Sequence, residues 1–207
     1  MAEYKLDPKE TALVFIEFQN EFTSEGGGLY EAVKDCMEAK GTMANAKKVM
    51  DEARAAGSTI IHLPIGFEKG HKEISETPYG ILAPIKGGEL FTQGEWGGAF
   101  TDSMKPDEKD IVCKGKSGLC GFHSTNLDFT LRQNGIKNVA IAGFLTNCCV
   151  ESTMRSAYER GYQVYTLTDC CAATSIAGHD ASVEHTFGMF SVPTTGVELV
   201  AALESTA

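Results

Sequence analysis

Residues 138–171 read NVAIAGFLTNCCVESTMRSAYERGYQVYTLTDCC. Asn138–Phe144 is a short, almost wholly apolar run, the pattern of a strand buried on both faces. A helix is predicted from about Asn147 to Arg160, ended by Gly161, and QVYTLTD from Gln163 to Asp169 gives a second strand. Two strands joined through a helix are linked by a right-handed crossover and lie parallel.

The same alternation runs outward in both directions. Upstream, TALVFIEF from Thr11 to Phe18 is a buried first strand whose one charge is Glu17. Met43, Ala46, Met50 and Ala53 recur three or four apart in a helix over 42–56 that Gly57 stops, and STIIHLP from Ser58 to Pro64 is the second strand. DIVCK, Asp110–Lys114, gives another strand, followed by a helix over roughly Ser124 to Gln133 capped by Asn134 and Gly135. Downstream lie a helix over roughly His179 to Phe190, a short strand at SVP and a closing helix in VELVAALE. The order predicts an α/β fold: a three-layer α/β/α sandwich with a mostly parallel, doubly wound sheet of about six strands, in a single domain over 1–207. Periodicity fails only between Ile65 and Lys109, a glycine-rich and aromatic excursion suited to a lid or a subunit contact.

Composition narrows the function. The chain has 207 residues, 43% hydrophobic and 22% charged, with a formal net charge of −10, so a nucleic acid would be repelled. No run is long enough to span a bilayer, and MAEYKLDPKE has the character of neither a signal nor a transit peptide, so the expected compartment is cytoplasmic. Seven cysteines, two pairs of them adjacent, read as reduced thiols. The histidines His62, His71, His123, His179 and His185 are scattered, without the spacing of a zinc site, and no metal or cofactor is expected.

Ligands of parallel sheets bind beyond the strand carboxyl ends. There the first, third and fourth of the five longer strands place Glu17, Lys116 and Cys149. Cys149 falls in the first turn of a helix, where free N–H groups and the helix dipole favour a thiolate; its alternative is a small packed hydrophobe. Glu17 needs a cation if it is buried, or else marks the point where solvent begins. Lys116 can be that cation, and neighbouring Lys114 competes for the role. Phe22, Trp96 and Phe122 are candidates to wall a small-molecule substrate, or to serve in packing.

AIAGFLTNCCVESTMRSAYERGYQVYTLTDCCAATS resembles the signature of the isochorismatase-like cysteine hydrolases, which aligns the family nucleophile with Cys149. KGKSGLCGFHSTNLDFTLRQNGI is similar to the family's lysine segment, and the spacing to Phe122 selects Lys116 over Lys114. ALVFIEFQNEF resembles the family's first strand with Glu17 in place of an aspartate, and Cys120 stands where a serine is usual. The resemblance implies a metal-independent hydrolase of a small amide, ureido or related acyl substrate. Glu17 would take the Cys149 proton, a thioester would form and be hydrolysed, and the backbone N–H groups of Leu145 and Cys149 would hold the oxyanion. It also implies a cis peptide between Phe144 and Leu145 and a homo-oligomer, dimer or tetramer. The alternatives are a metal-dependent nicotinamidase, for which HLPIGFEKGHKE lacks the family's ligand pattern, and a non-catalytic or redox-responsive thiol protein on the same fold.

Overall fold

Leu13 and Phe15 turn to one side of the first strand and Ala12, Val14 and Ile16 to the other, and both sets are buried. A strand apolar on both faces demands cover on both. The computed structural model, which describes residues 4–203, supplies it with helices above and below a six-stranded sheet. The strands are β1 (Thr11–Ile16), β2 (Thr59–Leu63), β3 (Ile111–Val112), β4 (Asn138–Phe144), β5 (Gln163–Ala172) and β6 (Val192–Thr194). All pair in parallel, in the order β3-β2-β1-β4-β5-β6. The expected three-layer fold is therefore present.

One face is covered by α1 (Tyr30–Lys40), α2 (Thr42–Ala56) and a C-terminal helix, Gly196–Ala202, through Val33, Met37, Val49, Met50 and Leu199. The other is covered by a helix at Leu127–Gln133 and one at Glu151–Glu159, through Leu127, Leu131, Met154 and Ala157. Each of the valine, leucine and methionine side chains contributes about 1.5–3 kcal/mol by leaving water.

Several boundaries differ from the sequence expectation. The helix Tyr30–Lys40 was not foreseen, although Val33, Cys36 and Met37 bury one stripe of it. Gly41 then takes a left-handed φ of 64° and turns the chain directly into α2. β3 is only two residues long, and the helix after it begins at Leu127 rather than Ser124. β5 runs on through Cys170 and Cys171 to Ala172, with a register shift against β4 between Ile141 and Gly143. The helix expected over His179–Phe190 begins at Ile176 and passes through a π-helical turn at Val183–Phe187.

The excursion is a packed part of the core: Phe67, Ile74, Ile85, Phe91 and Met104 are buried. Three side chains just beyond β1 draw it in. Gln19 donates to the carbonyls of Ile65 (2.9 Å) and Gly98 (2.7 Å) and accepts from the Ile65 N–H (2.9 Å). Asn20 donates to the Trp96 carbonyl (2.8 Å), and Glu21 accepts from the Phe91 N–H (3.4 Å).

The strand order reverses between β1 and β4, and Ile16 pairs there with Gly143. Gly143 has φ 134°, and a Cβ on it would lie 2.1 Å from the Ile16 carbonyl oxygen. Gly143→Ala is therefore expected to cost about 3 kcal/mol or more in urea unfolding. Gly57→Ala, at φ 93° in open space, should cost only about 1–2 kcal/mol. Equal losses at the two glycines would contradict this reading of the β1–β4 contact.

Candidate active site

The ligand crevice of a doubly wound sheet opens where the strand order reverses, here beyond β1 and β4. Glu17 is the first residue past β1 and has φ 59°, a left-handed conformation that a long side chain adopts only under constraint. The constraint is visible: its N–H donates to the Leu63 carbonyl (3.1 Å) and its carbonyl accepts from the Gln19 N–H (2.7 Å). The side chain is turned inward and the residue is 2% exposed.

Lys116, also 2% exposed, meets it. Its Nζ donates to Glu17 Oε1 and to the Gly118 carbonyl (2.6 Å), while its own carbonyl accepts from the Gly66 N–H (3.0 Å). Lys114 stands exposed, two residues away. Burial alone would drive the Lys116 ammonium toward neutrality. The Glu17 carboxylate and its hydrogen bond oppose burial, and the ammonium is held above its ordinary value.

Cys149, 4% exposed, lies in a π-helical turn, Thr146–Val150, through which β4 enters the helix Glu151–Glu159. Such turns are frequent at functional sites. The N–H groups of Cys148 and Val150 both donate to the Leu145 carbonyl (3.0 and 3.2 Å). Thr153 ties this turn to the lysine loop, donating to the Cys149 carbonyl (2.7 Å) and accepting from the Gly121 N–H (2.8 Å). Thr146 and His179 Nδ1 share a buried hydrogen bond of 2.9 Å behind it. The Phe144–Leu145 peptide is cis, where the resemblance implies it. The Leu145 N–H meets no acceptor among the described residues.

The surroundings of Cys149 oppose the thiolate that its helix position favours. A hydrogen bond with Cys148, burial and the Glu17 carboxylate push its thiol well up, against the opposing pull of Lys116. The site thus holds a buried thiol beside an ion pair, and a base is needed to ionise it.

The three aromatic candidates occupy different places. Phe22 is buried and stacks on Phe144 with ring centroids 5.3 Å apart. Phe122 packs in the same apolar cluster as Cys149, with the Arg160 guanidinium 4.7 Å above its ring. Trp96 is 55% exposed, on a surface recess with Asn20 and Lys105. A separate cleft of about 480 Å³ reaches Lys116 between the excursion and the Lys114–Ser117 loop. Cys120, the family's serine position, donates to Ser156 Oγ (3.1 Å).

Sequence reasoning did not single out Thr153, Thr146 or His179, nor the part Gln19 plays. The one signal for Thr153 was its place a helical turn after Cys149 on the same face. The histidines of the second strand and the excursion are engaged elsewhere: His62 Nε2 lies 3.1 Å from Asp110, and His71 Nε2 lies 2.7 Å from the Leu90 carbonyl. Among the described residues no three His, Cys, Asp or Glu side chains are grouped to hold a metal, and no helix is long and apolar enough to cross a membrane.

The chain is 38% identical over 168 residues to the ureidoacrylate amidohydrolase RutB of Rhizobium rhizogenes, covering 76% of this chain and 68% of the relative. It is 32% identical over 191 residues to the RutB of Acinetobacter baylyi, covering 86% and 78%. Among solved structures it superposes on a cysteine hydrolase from Pseudomonas syringae pv. phaseolicola with a TM-score of 0.84 at 24% identity, covering 100% of this chain and 98% of that one. The N-carbamoylsarcosine amidase of Thermoplasma acidophilum superposes with a TM-score of 0.72 at 25% identity, covering 90% and 96%. Residues 11–198 match the model of the isochorismatase domain, and the chain is a member of the isochorismatase family.

Proposed function

We propose that the chain is an amidohydrolase that cleaves a small ureido or carbamoyl amide through a thioester on Cys149. The observation that carries this reading is the buried Glu17–Lys116 ion pair set against the Cys149 thiol. The relatives named for ureidoacrylate and N-carbamoylsarcosine support the same class of carbon–nitrogen bond.

The geometry suggests how charge moves. Glu17 accepts the thiol proton and becomes neutral, which removes the negative charge that held the thiol up. Lys116 stays cationic, so the new thiolate forms beside an ammonium already in place. Negative charge thus shifts from oxygen to sulfur around a fixed cation, and no net charge is created in the low-dielectric interior. The thiolate attacks the carbonyl carbon, and the N–H groups of Leu145 and Cys149 hold the oxyanion. Glu17 returns its proton to the departing nitrogen, the carbon–nitrogen bond breaks, and a water deprotonated by the same carboxylate hydrolyses the thioester. On this reading the longer Glu17 side chain serves in the aspartate's place, held inward beside the Lys116 ammonium.

Cys149→Ala is expected to abolish ammonia release from a panel of ureido and carbamoyl acids, and a variant that kept wild-type activity would sink the proposal. Glu17→Gln should move two readouts in opposite directions. Turnover should fall about 10²–10⁴-fold as the general base is lost. Iodoacetamide alkylation of Cys149 near neutral pH should become faster, because Lys116 then acts on the thiol unopposed. Slower or unchanged alkylation would mean that Glu17 does not control the ionisation of Cys149.

A further inference from the structure

A chain with 28 acidic and 18 basic residues repels a carboxylate ligand over most of its surface. A site for one must therefore exclude acids locally and present a free cation. The cleft of about 480 Å³ beside Lys116 does both. Its lining holds no aspartate or glutamate, Lys114 is its exposed lysine while the Lys116 side chain is buried, and Phe91 and Phe100 give it apolar walls. The Lys116 ammonium is committed to Glu17 and to the Gly118 carbonyl. Lys114 is exposed and has no ion-pair partner among the described residues.

The backbone that carries Lys114 is fixed. Its N–H donates to Asn126 Oδ1 (3.0 Å), and the next carbonyl, that of Gly115, accepts from Ser124 Oγ (3.2 Å). Gly115 has φ 89°, and a Cβ there would come within 2.6 Å of the Ser124 carbonyl oxygen. A pre-set loop spares a ligand the cost of ordering it. Lys114 and Lys116 are two residues apart, so their Cα atoms are at most about 7 Å from each other. That suits a compact molecule with its reacting carbonyl at the buried site and its charge at the rim.

We infer that this cleft takes the anionic end of the substrate, so that the enzyme selects amides bearing a carboxylate, with Lys114 as the counter-charge. The inference rests on the amidohydrolase reading and adds to it the charge of the substrate and the residue that reads it. Lys114 is a specificity residue, and its loss should weaken binding of acids without touching the chemistry.

The test separates binding from turnover. Calorimetric titration of the Cys149→Ala protein with N-carbamoyl-β-alanine and with its neutral carboxamide should show the acid binding about tenfold more tightly, equivalent to about 1.4 kcal/mol. Adding Lys114→Gln should erase that preference, and Lys114→Arg should keep it. Equal binding of the two ligands, a preference that survives Lys114→Gln, or no binding of either would overturn the inference. In the protein with Cys149 intact, selective acid binding without Cys149-dependent turnover would contradict the hydrolase reading alone and leave the anion cleft standing.

Discussion

A carboxylate and an ammonium removed from water together set the terms for everything around them. Either alone would be prohibitively costly in the interior, and together they are tolerable only when their remaining hydrogen-bonding capacity is met. Glu17 and Lys116 lie 99 positions apart in the chain and still form one buried unit, with the Gly118 carbonyl taking a further lysine hydrogen. Their charges bear on Cys149 in opposite senses. The ion pair is therefore a structural tie across the loops and, in the proposed mechanism, the device that decides when the sulfur ionises.

Topology brings the pair and the sulfur together. β1 and β4 are adjacent at the reversal of strand order, so the chain segments leaving their carboxyl ends diverge around a common crevice. Gly143 lets the two backbones close at that point, and the π-helical turn swings Cys149 back toward the lysine loop, where Thr153 fastens it. Gln19, Asn20 and Glu21 use the next three positions after Phe18 to fold the excursion over the same end of the sheet. A single short segment past β1 thus supplies the carboxylate and the anchors that keep the excursion in place.

Much of this was legible in the sequence because it is written in local pattern. The buried strands show as apolar runs, the helix stops at Gly57 and Gly161 show as glycines, and Glu17 shows as one charge in a run that otherwise excludes charge. The lysine was ambiguous from the residues alone, since Lys114 and Lys116 both follow the third strand, and only spacing to Phe122 separated them. What stayed hidden depends on tertiary surroundings. The left-handed φ of Glu17 follows from hydrogen bonds to Leu63 and Gln19. The excursion looked irregular because its anchors are side chains from a distant segment. Cys149 looked like a thiolate because a helix start favours one, and burial beside Cys148 and Glu17 reverses that preference.

The most direct measure of the central claim is a double-mutant cycle on the ion pair, read by urea unfolding at neutral pH. Lys116→Met should cost about 3–5 kcal/mol by leaving a buried carboxylate unpaired, and Glu17→Gln should be costly for the same reason in reverse. The double variant should regain much of that loss, giving a coupling energy of about 2 kcal/mol or more. Two losses that simply add would mean that the groups do not depend on each other, and would contradict the account.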